Sequence, residues 1–324
     1  MTLLVGDCIE QMRTLPDASI NCCVTSPPYF GLRDYQVAGQ IGLEDTPDAF
    51  VARLVEVFRE VKRVLRDDAT LWMNLGDSYG SKGGDIFTGF NARYDGTGLD
   101  GGKQAAIAEA AKGARSKTRE TGLRAKNLLG IPWRVAFALQ ADGWYLRQDI
   151  IWHKPNPMPE SVRDRCTKAH EYVFMLSKGP RYFFDSDAIK EQAAGYSSSG
   201  GFSGRQGGSY RVGPQSGGTG TVGRQSYALR NRRSVWTVTT KPFKGAHFAT
   251  FPPDLIEPCI LAGCPAGGTV LDPFGGSGTT AGVALKHGRN AVLCELNPDY
   301  AALVPDRVRS IAGDQVPLFP VTAE

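Results

Sequence analysis

Short apolar runs alternate with helical patterns along most of the chain. Six runs are partly β-branched or aromatic, as is typical of strands in a parallel sheet covered on both faces. They span residues 21–25, 70–75, 149–152, 172–176, 269–271 and 290–294.

Four helices are predicted between these strands. Thr46 and Pro47 form an N-cap followed by a first-turn proline, and apolar residues then recur at helical spacing from 50 to 65. The other helices are predicted over 132–141, 279–287 and 298–311. Alternating strands and helices indicate an α/β, doubly wound sheet.

Two segments lack any apolar periodicity. Residues 81–122 are rich in Gly, Ala and Lys, and residues 195–223 contain eleven glycines. Irregular stretches of this length in a compact domain are usually functional loops or disorder.

The composition excludes several classes of protein. The chain has 324 residues, 41% hydrophobic and 22% charged, and it has no apolar run of 18 residues, so no membrane span is expected. The first residues lack the features of a secretory signal. Seven scattered cysteines without a CxxC pair favour buried thiols in a reducing cytoplasm over a zinc or disulfide framework.

Positive charge is concentrated in two segments. Residues 192–244 hold eight Lys or Arg and no acidic residue, and residues 103–126 carry a net +5. Since the whole chain carries +4, the remainder carries −9. A basic lobe on an acidic body suits an enzyme that binds a polyanion, although a solvated flexible loop explains the charge equally well.

The late motif over residues 270–280 runs from a strand through a glycine-rich turn into a helix. Glycines allow close approach of the backbone to a ligand, and the helix N-terminus offers free amides. Glu295 ends the next strand, where an acidic residue can accept hydrogen bonds from both hydroxyls of a ribose. A nucleoside-bearing cofactor is therefore favoured over simple tight packing.

The early motif is Thr25-Ser26-Pro27-Pro28-Tyr29, at the end of a predicted strand. Two successive prolines stiffen the turn and remove two backbone donors. Carbonyl groups and the Ser26 hydroxyl remain as acceptors, with the Tyr29 ring beside them. Alone, this motif is more typical of an ordinary strand-ending turn with a packing tyrosine.

Together the two motifs resemble the catalytic and cofactor motifs of DNA amino-methyltransferases. Their order, with the catalytic motif first, is similar to the β group of that family. The resemblance continues at residues 6–8, 75–79, 151–155, 170–172 and 247–252.

The resemblance implies a Rossmann-like, mostly parallel seven-stranded sheet that is circularly permuted. Residues 1–80 and 127–190 would form the catalytic part, and 245–324 the part that binds S-adenosylmethionine. Residues 81–126 would be a basic insertion loop. Residues 191–244 would be a small irregular target-recognition region.

The resemblance also implies cofactor residues. Asp7 would meet the adenine amino group, and Glu295 would hold the ribose hydroxyls. Thr279 and Thr280 would bind the methionine carboxylate. The remaining residues expected around the cofactor are Thr25, His247, Phe248, Pro252, Asp272, Phe274, Gly275, Gly276, Ser277 and Gly278.

For catalysis, the family pattern assigns acceptor roles to the Ser26 hydroxyl and the Pro27 carbonyl, with Pro28 stiffening the turn and Tyr29 stacking on a flipped base. These acceptors would free the lone pair of an exocyclic amine for attack on the sulfonium methyl, without a metal. Adenine N6 and cytosine N4 present the same donors, so both targets stay open.

The implied partner is double-stranded DNA, with a homodimer suited to palindromic sites, and the implied location is the cytoplasm, at the nucleoid. An enzyme acting on RNA or nucleotides, or an inactive DNA-binding module, are the alternatives. Expected DNA contacts are Arg33, Lys154, Arg205, Arg211, Arg224, Arg230, Arg232 and Arg233.

Overall fold

The computed structural model describes residues 1–80, 124–193, 229–240 and 251–314. These residues form an α/β fold around an eight-stranded sheet. The strands are β1 (Thr2–Val5), β2 (Ile20–Thr25), β3 (Leu65–Leu75), β4 (Tyr145–His153), β5 (His170–Ser177), β8 (Val235–Thr237), β9 (Thr269–Asp272) and β10 (Asn290–Glu295). A separate two-stranded ribbon pairs β6 (Glu191–Gln192) with β7 (Leu229–Arg230).

The strand order of the large sheet is β1-β10-β9-β2-β3-β5-β4-β8. Neighbouring strands from β1 to β3 pair in parallel, β5 is antiparallel to both β3 and β4, and β8 is parallel to β4. The mostly parallel sheet is as predicted. The expected number of seven strands is wrong, because the short edge strand β8 adds an eighth through the pairing of Trp236 with Trp152.

The helices are α1 (Cys8–Arg13), α2 (Pro47–Val64), α3 (Ile131–Ala141), α4 (Pro253–Gly263), α5 (Thr279–Lys286) and α6 (Pro298–Ala312), with a 3-10 turn at Asp187–Ile189. Helices α1–α3 cover one face of the sheet, and α4–α6 cover the other. Within the described residues, no helix combines the length and the apolarity needed to cross a bilayer.

Helix α2 shows how the sequence specifies these elements. The Thr46 hydroxyl accepts a hydrogen bond from the Ala49 amide at 3.1 Å, and Pro47 fits the first turn because its missing N–H would have no partner there. The buried stripe from Phe50 to Val64 faces the sheet. The cap fixes where the helix begins, and the stripe fixes which face packs.

Helix α4 packs against β2 and β3 so closely that Gly263 has no room for a side chain. A Cβ atom there would lie 2.5 Å from Trp72 Nε1 and 2.6 Å from Thr70 Oγ1. Both neighbours are buried and hydrogen-bonded to each other at 3.0 Å, so they cannot easily move.

We predict that Gly263→Ala lowers the free energy of unfolding by about 1–3 kcal/mol, because it overpacks the core. Urea unfolding measures this change. Gly179→Ala is the matched control, since a Cβ at Gly179 meets nothing within 4 Å, and its change should stay within about 0.5 kcal/mol. Equal stability of the two variants would contradict the packing.

Candidate functional site

Polar side chains from six strands meet at one edge of the sheet. The carboxyl ends of β1, β10, β9, β2 and β3 lie at this edge, and the antiparallel β5 brings its first residues there. Ligands of open parallel sheets bind beyond these ends. The residues assembled there are Asp7, Ser26, Asn74, Glu171, Asp272 and Glu295.

Asp272 is the centre of this edge and is only 1% exposed. Its carboxylate accepts hydrogen bonds from Thr25 Oγ1 at 2.7 Å, Thr280 Oγ1 at 2.6 Å and the Phe274 amide at 3.0 Å. Burial raises the pKa of Asp272 to about 6, and these three bonds oppose the rise. The bond from Thr25 joins the early motif to the late motif.

The glycine-rich turn after Asp272 requires small residues. Gly278 has φ +92°, and a Cβ there would lie 2.8 Å from Val304 Cγ1. The turn aims the Gly276 amide at Glu295 Oε2, 2.7 Å away, while Glu295 Oε1 accepts from the Asn297 amide at 2.8 Å. Burial raises the pKa of Glu295. Both carboxylates are thus held in fixed orientations.

A cavity that is open to solvent lies beside these groups. Tyr35 and Tyr300 meet edge to face in its wall, with ring centroids 6.2 Å apart. The wall therefore combines aromatic rings with a carboxylate and backbone groups, as a nucleoside site requires. Other residues that line it are Gly6, Asp7, Cys8, Ser26, Pro28, Phe274, Gly276, Glu295 and Asn297.

One observation supports the fit of a nucleoside-bearing ligand. Ser277 Oγ is buried beside the lining residue Gly276 and has no hydrogen-bond partner among the described residues. Asp7 Oδ1 caps α1 by accepting from the Ile9 and Glu10 amides, and Oδ2 pairs with Arg53 at 3.4 Å. The expected cofactor residue Asp7 is therefore both a helix cap and part of the cavity wall.

The early motif faces a second polar group on the neighbouring strand β3. Ser26 is half-buried, and its hydroxyl donates to Asn74 Oδ1 at 3.4 Å. Asn74 Nδ2 donates to the Tyr172 carbonyl at 3.0 Å and to Glu171 Oε2 at 3.2 Å. Because these acceptors fix the amide orientation, the Ser26 proton points to Asn74 and the oxygen lone pairs stay available.

Tyr29 is held in the same group of residues. Its hydroxyl donates to Glu171 Oε2 at 2.7 Å and lies 3.2 Å from Asn74 Oδ1. Its ring lies over Gly76, where a Cβ would come within 2.5 Å of it. Burial and the Glu171 carboxylate raise the pKa of Tyr29 well above its ordinary value, so the hydroxyl keeps its proton. In the same motif, Pro27 is buried and Pro28 lines the cavity.

Several predicted residues lie elsewhere or have other contacts. The Thr280 hydroxyl is buried and donates to Asp272 Oδ2 at 2.6 Å. Thr279 Oγ1 accepts from Arg307 at 3.4 Å, and Pro252 caps α4. The Gly275 amide donates a hydrogen bond to the Cys294 carbonyl at 2.8 Å.

The predicted DNA contacts are dispersed. Arg33 lies near Tyr35 and Tyr300. Burial raises the pKa of both tyrosines, and the charge of Arg33 opposes that rise. Lys154 pairs with Glu171 inside the site.

The described arginines near β8 precede its amino end, and the carboxyl end of β8 is the end beside His153. Arg230 and Arg233 both pair with Glu191, and Arg232 stacks on Trp236 at 4.8 Å. His247, Phe248, Arg205, Arg211 and Arg224 lie outside the described residues.

Sequence reasoning missed the roles of Asn74, Glu171, Tyr35 and Tyr300. A polar Asn inside an apolar strand was the available signal for Asn74, and Glu171 lay in a matched motif without an assigned role. The two tyrosines meet only through tertiary contact. In the part of the chain that the structure describes, no group of three or more His, Cys, Asp or Glu side chains could hold a metal ion.

Comparisons with known proteins identify the family of this chain. A family model described as DNA methylase matches residues 20–305. Type II methyltransferase M.Cfr9I of Citrobacter freundii is 48% identical over 95% of this chain and 87% of its own. M.SmaI of Serratia marcescens is 44% identical over 94% and 90%.

Solved structures share the fold. PvuII DNA methyltransferase (cytosine-N4-specific) aligns with a TM-score of 0.60 at 18% identity, covering 94% of this chain and 85% of that one. TTHA0409 of Thermus thermophilus, complexed with S-adenosyl-L-methionine, aligns with a TM-score of 0.58 at 24% identity, covering 98% and 95%.

We predict that Asp272→Asn changes the pH dependence of stability. The folded-state pKa of Asp272, about 6, exceeds the ordinary 3.8, so the folded chain keeps a proton that the unfolded chain loses. The wild-type carboxylate therefore costs stability as pH rises from about 4 to 6, and the cost is constant above pH 6. The variant should gain stability relative to wild type over that range, by up to about 3 kcal/mol.

Thermal unfolding between pH 4 and 8 checks this difference. Asp306→Asn, which removes a 90% exposed carboxylate, is the control and should keep the wild-type pH dependence. A constant difference between Asp272→Asn and wild type at all pH values would show that the carboxyl titrates normally.

Proposed function

Because the chain belongs to the DNA methylase family, we propose that it methylates the exocyclic amino nitrogen of a base, adenine N6 or cytosine N4, in double-stranded DNA. The protein is a DNA methyltransferase, and S-adenosylmethionine is its methyl donor. The proposal of amino methylation is supported by the hydrogen bond between Thr25 and Asp272. This bond holds the early motif, with Ser26 in the cavity wall, beside the glycine-rich turn.

The cavity offers a suitable group for each part of the donor. Glu295 would accept hydrogen bonds from the ribose hydroxyls, and Tyr35 and Tyr300 would pack on the adenine near Asp7. Gly276 and Phe274 would line the methionine side, with Ser277 and the amides at the start of α5 near its carboxylate. The donor supplies an electrophilic methyl group on a sulfonium.

The residues of the early motif would act on the amine. A base amine is a weak nucleophile because its lone pair is delocalised into the ring. The Ser26 oxygen, with its proton turned toward Asn74, would accept one N–H bond, and the Pro27 carbonyl would accept the other. These fixed acceptors favour a tetrahedral nitrogen and stabilise the positive charge that develops on it.

The depth of the site supports base flipping. Ser26 is half-buried and Pro27 is buried, so a base stacked in a duplex could not bring its amine to these oxygens. The base would leave the helix at a cost of a few kcal/mol. Tyr29, with its hydroxyl held by Glu171, would present its ring to one face of that base.

The proposed substrate accounts for the clustered positive charge. Residues 192–244, with eight basic and no acidic side chains, would form most of the target-recognition region. We also propose that the enzyme acts at the nucleoid in the cytoplasm, and that it pairs as a homodimer on palindromic sites.

We predict that Ser26→Ala lowers the rate of methyl transfer by about 10²–10³-fold, because it removes one fixed acceptor of the amine. Transfer of tritiated methyl groups to duplex DNA measures the rate, and calorimetry should show unchanged affinity for S-adenosylmethionine. Ser310→Ala is the control, since its hydroxyl donates to the Arg307 carbonyl on an exposed helix face. Full activity of Ser26→Ala would show that Ser26 takes no part in catalysis.

The same assay on RNA, on free nucleotides and on duplex DNA tests the substrate class. We expect transfer to duplex DNA alone, and transfer only to RNA or nucleotides would contradict the proposal. Mass spectrometry of nucleosides from the methylated DNA then distinguishes N6-methyladenine from N4-methylcytosine. A methyl group on a ring carbon would contradict amino methylation.

A further inference from the structure

A partly buried ion pair lies next to the residues of the early motif. Lys154 Nζ pairs with Glu171 Oε1, and the two side chains are only 18% and 15% exposed. Removing two charges from water costs several kcal/mol per ion unless each finds further partners. The other contacts of both residues therefore indicate what the pair does.

Glu171 turns its second oxygen towards the early motif. Glu171 Oε2 accepts from the Tyr29 hydroxyl at 2.7 Å and from Asn74 Nδ2 at 3.2 Å. Asn74 Oδ1 in turn accepts a hydrogen bond from the Ser26 hydroxyl. One carboxylate thus fixes the direction of a tyrosine hydroxyl and of the amide that orients Ser26.

Further contacts hold Lys154 in place beside the Glu171 carboxylate. Its ammonium lies 4.2 Å from the centre of the Trp152 ring, and its backbone amide donates to the Ala169 carbonyl at 2.8 Å. The Trp152 indole is itself anchored on the Val238 carbonyl at 2.8 Å. A lysine held in this way has little freedom to reach DNA, the contact that the sequence predicts for it.

We propose that Glu171, held by Lys154, is a positioning residue for methyl transfer: it orients Tyr29 and Asn74 so that the Ser26 oxygen faces the target amine. This inference rests on the proposed function. Neither Lys154 nor Glu171 touches the substrate in this account. Their effect passes through the hydrogen bonds to Tyr29 and Asn74.

The test uses Glu171→Gln, Lys154→Met and the double variant in single-turnover methyl transfer at saturating DNA and S-adenosylmethionine. Each single variant should lose about 100-fold in rate, because a small misplacement of reacting groups has an effect of that size. The double variant should recover about tenfold over either single variant, because it leaves no unpaired buried charge. Affinities for DNA and S-adenosylmethionine should stay within about twofold.

Lys178→Met is the matched control. Lys178 is also 18% exposed and also paired, with Asp67 at 3.0 Å, but it lies at the opposite edge of the sheet, after β5. The Lys178→Met variant should be less stable than the wild type but should keep the wild-type rate of methyl transfer. If Glu171→Gln does not fold, Tyr29→Phe breaks the same contact while keeping the ring, and we expect about a tenfold loss of rate.

Two results would overturn the inference. One is a wild-type single-turnover rate in Glu171→Gln or, where that variant does not fold, in Tyr29→Phe. The other is a Lys154→Met variant with a normal rate at saturating DNA, weaker DNA binding and a salt slope reduced by about 1, since that pattern marks a phosphate contact. A wild-type enzyme that does not methylate DNA would instead refute the proposed function.

Discussion

The structure depends on the contact between β2 and β9, which the hydrogen bond from Thr25 to Asp272 completes. These strands belong to motifs at opposite ends of the chain, and their parallel pairing places both carboxyl ends at one edge. A buried carboxylate needs fixed donors, and Thr25, Thr280 and Phe274 supply them. The Asp272 carboxylate, which is costly to bury, therefore joins the early motif to the late motif.

The two sides of this contact have different electrostatic requirements. On the side of β9 and β10, Asp272 and Glu295 are carboxylates whose pKa is raised by burial, as suits a site completed by donors and positive charge of a ligand. On the side of β2 and β3, the proposed acceptors of the amine, the Ser26 oxygen and the Pro27 carbonyl, are neutral. Asn74 orients the Ser26 hydroxyl, and Glu171 is paired with Lys154. Negative charge therefore lies next to the proposed acceptors and not on them.

Sequence patterns predicted the elements whose signal is local. The strand before Ser26, the cap at Thr46 and the glycine turn after Asp272 all carry such signals. The short edge strand β1 and the six-residue α1 were missed because they are too short for periodicity, and α4 was missed because Pro258 interrupts it. The pairing of Lys154 with Glu171 depends on strand register, which no local pattern gives.

The most direct test of the central claim is a crystal structure with S-adenosyl-L-homocysteine. We expect the ligand to lie in the cavity between Tyr35, Tyr300 and Phe274, with its ribose on Glu295 and its sulfur directed to the space in front of Ser26. A ligand bound away from Glu295, or with Ser26 on the far side of the sheet from its sulfur, would contradict the proposed site.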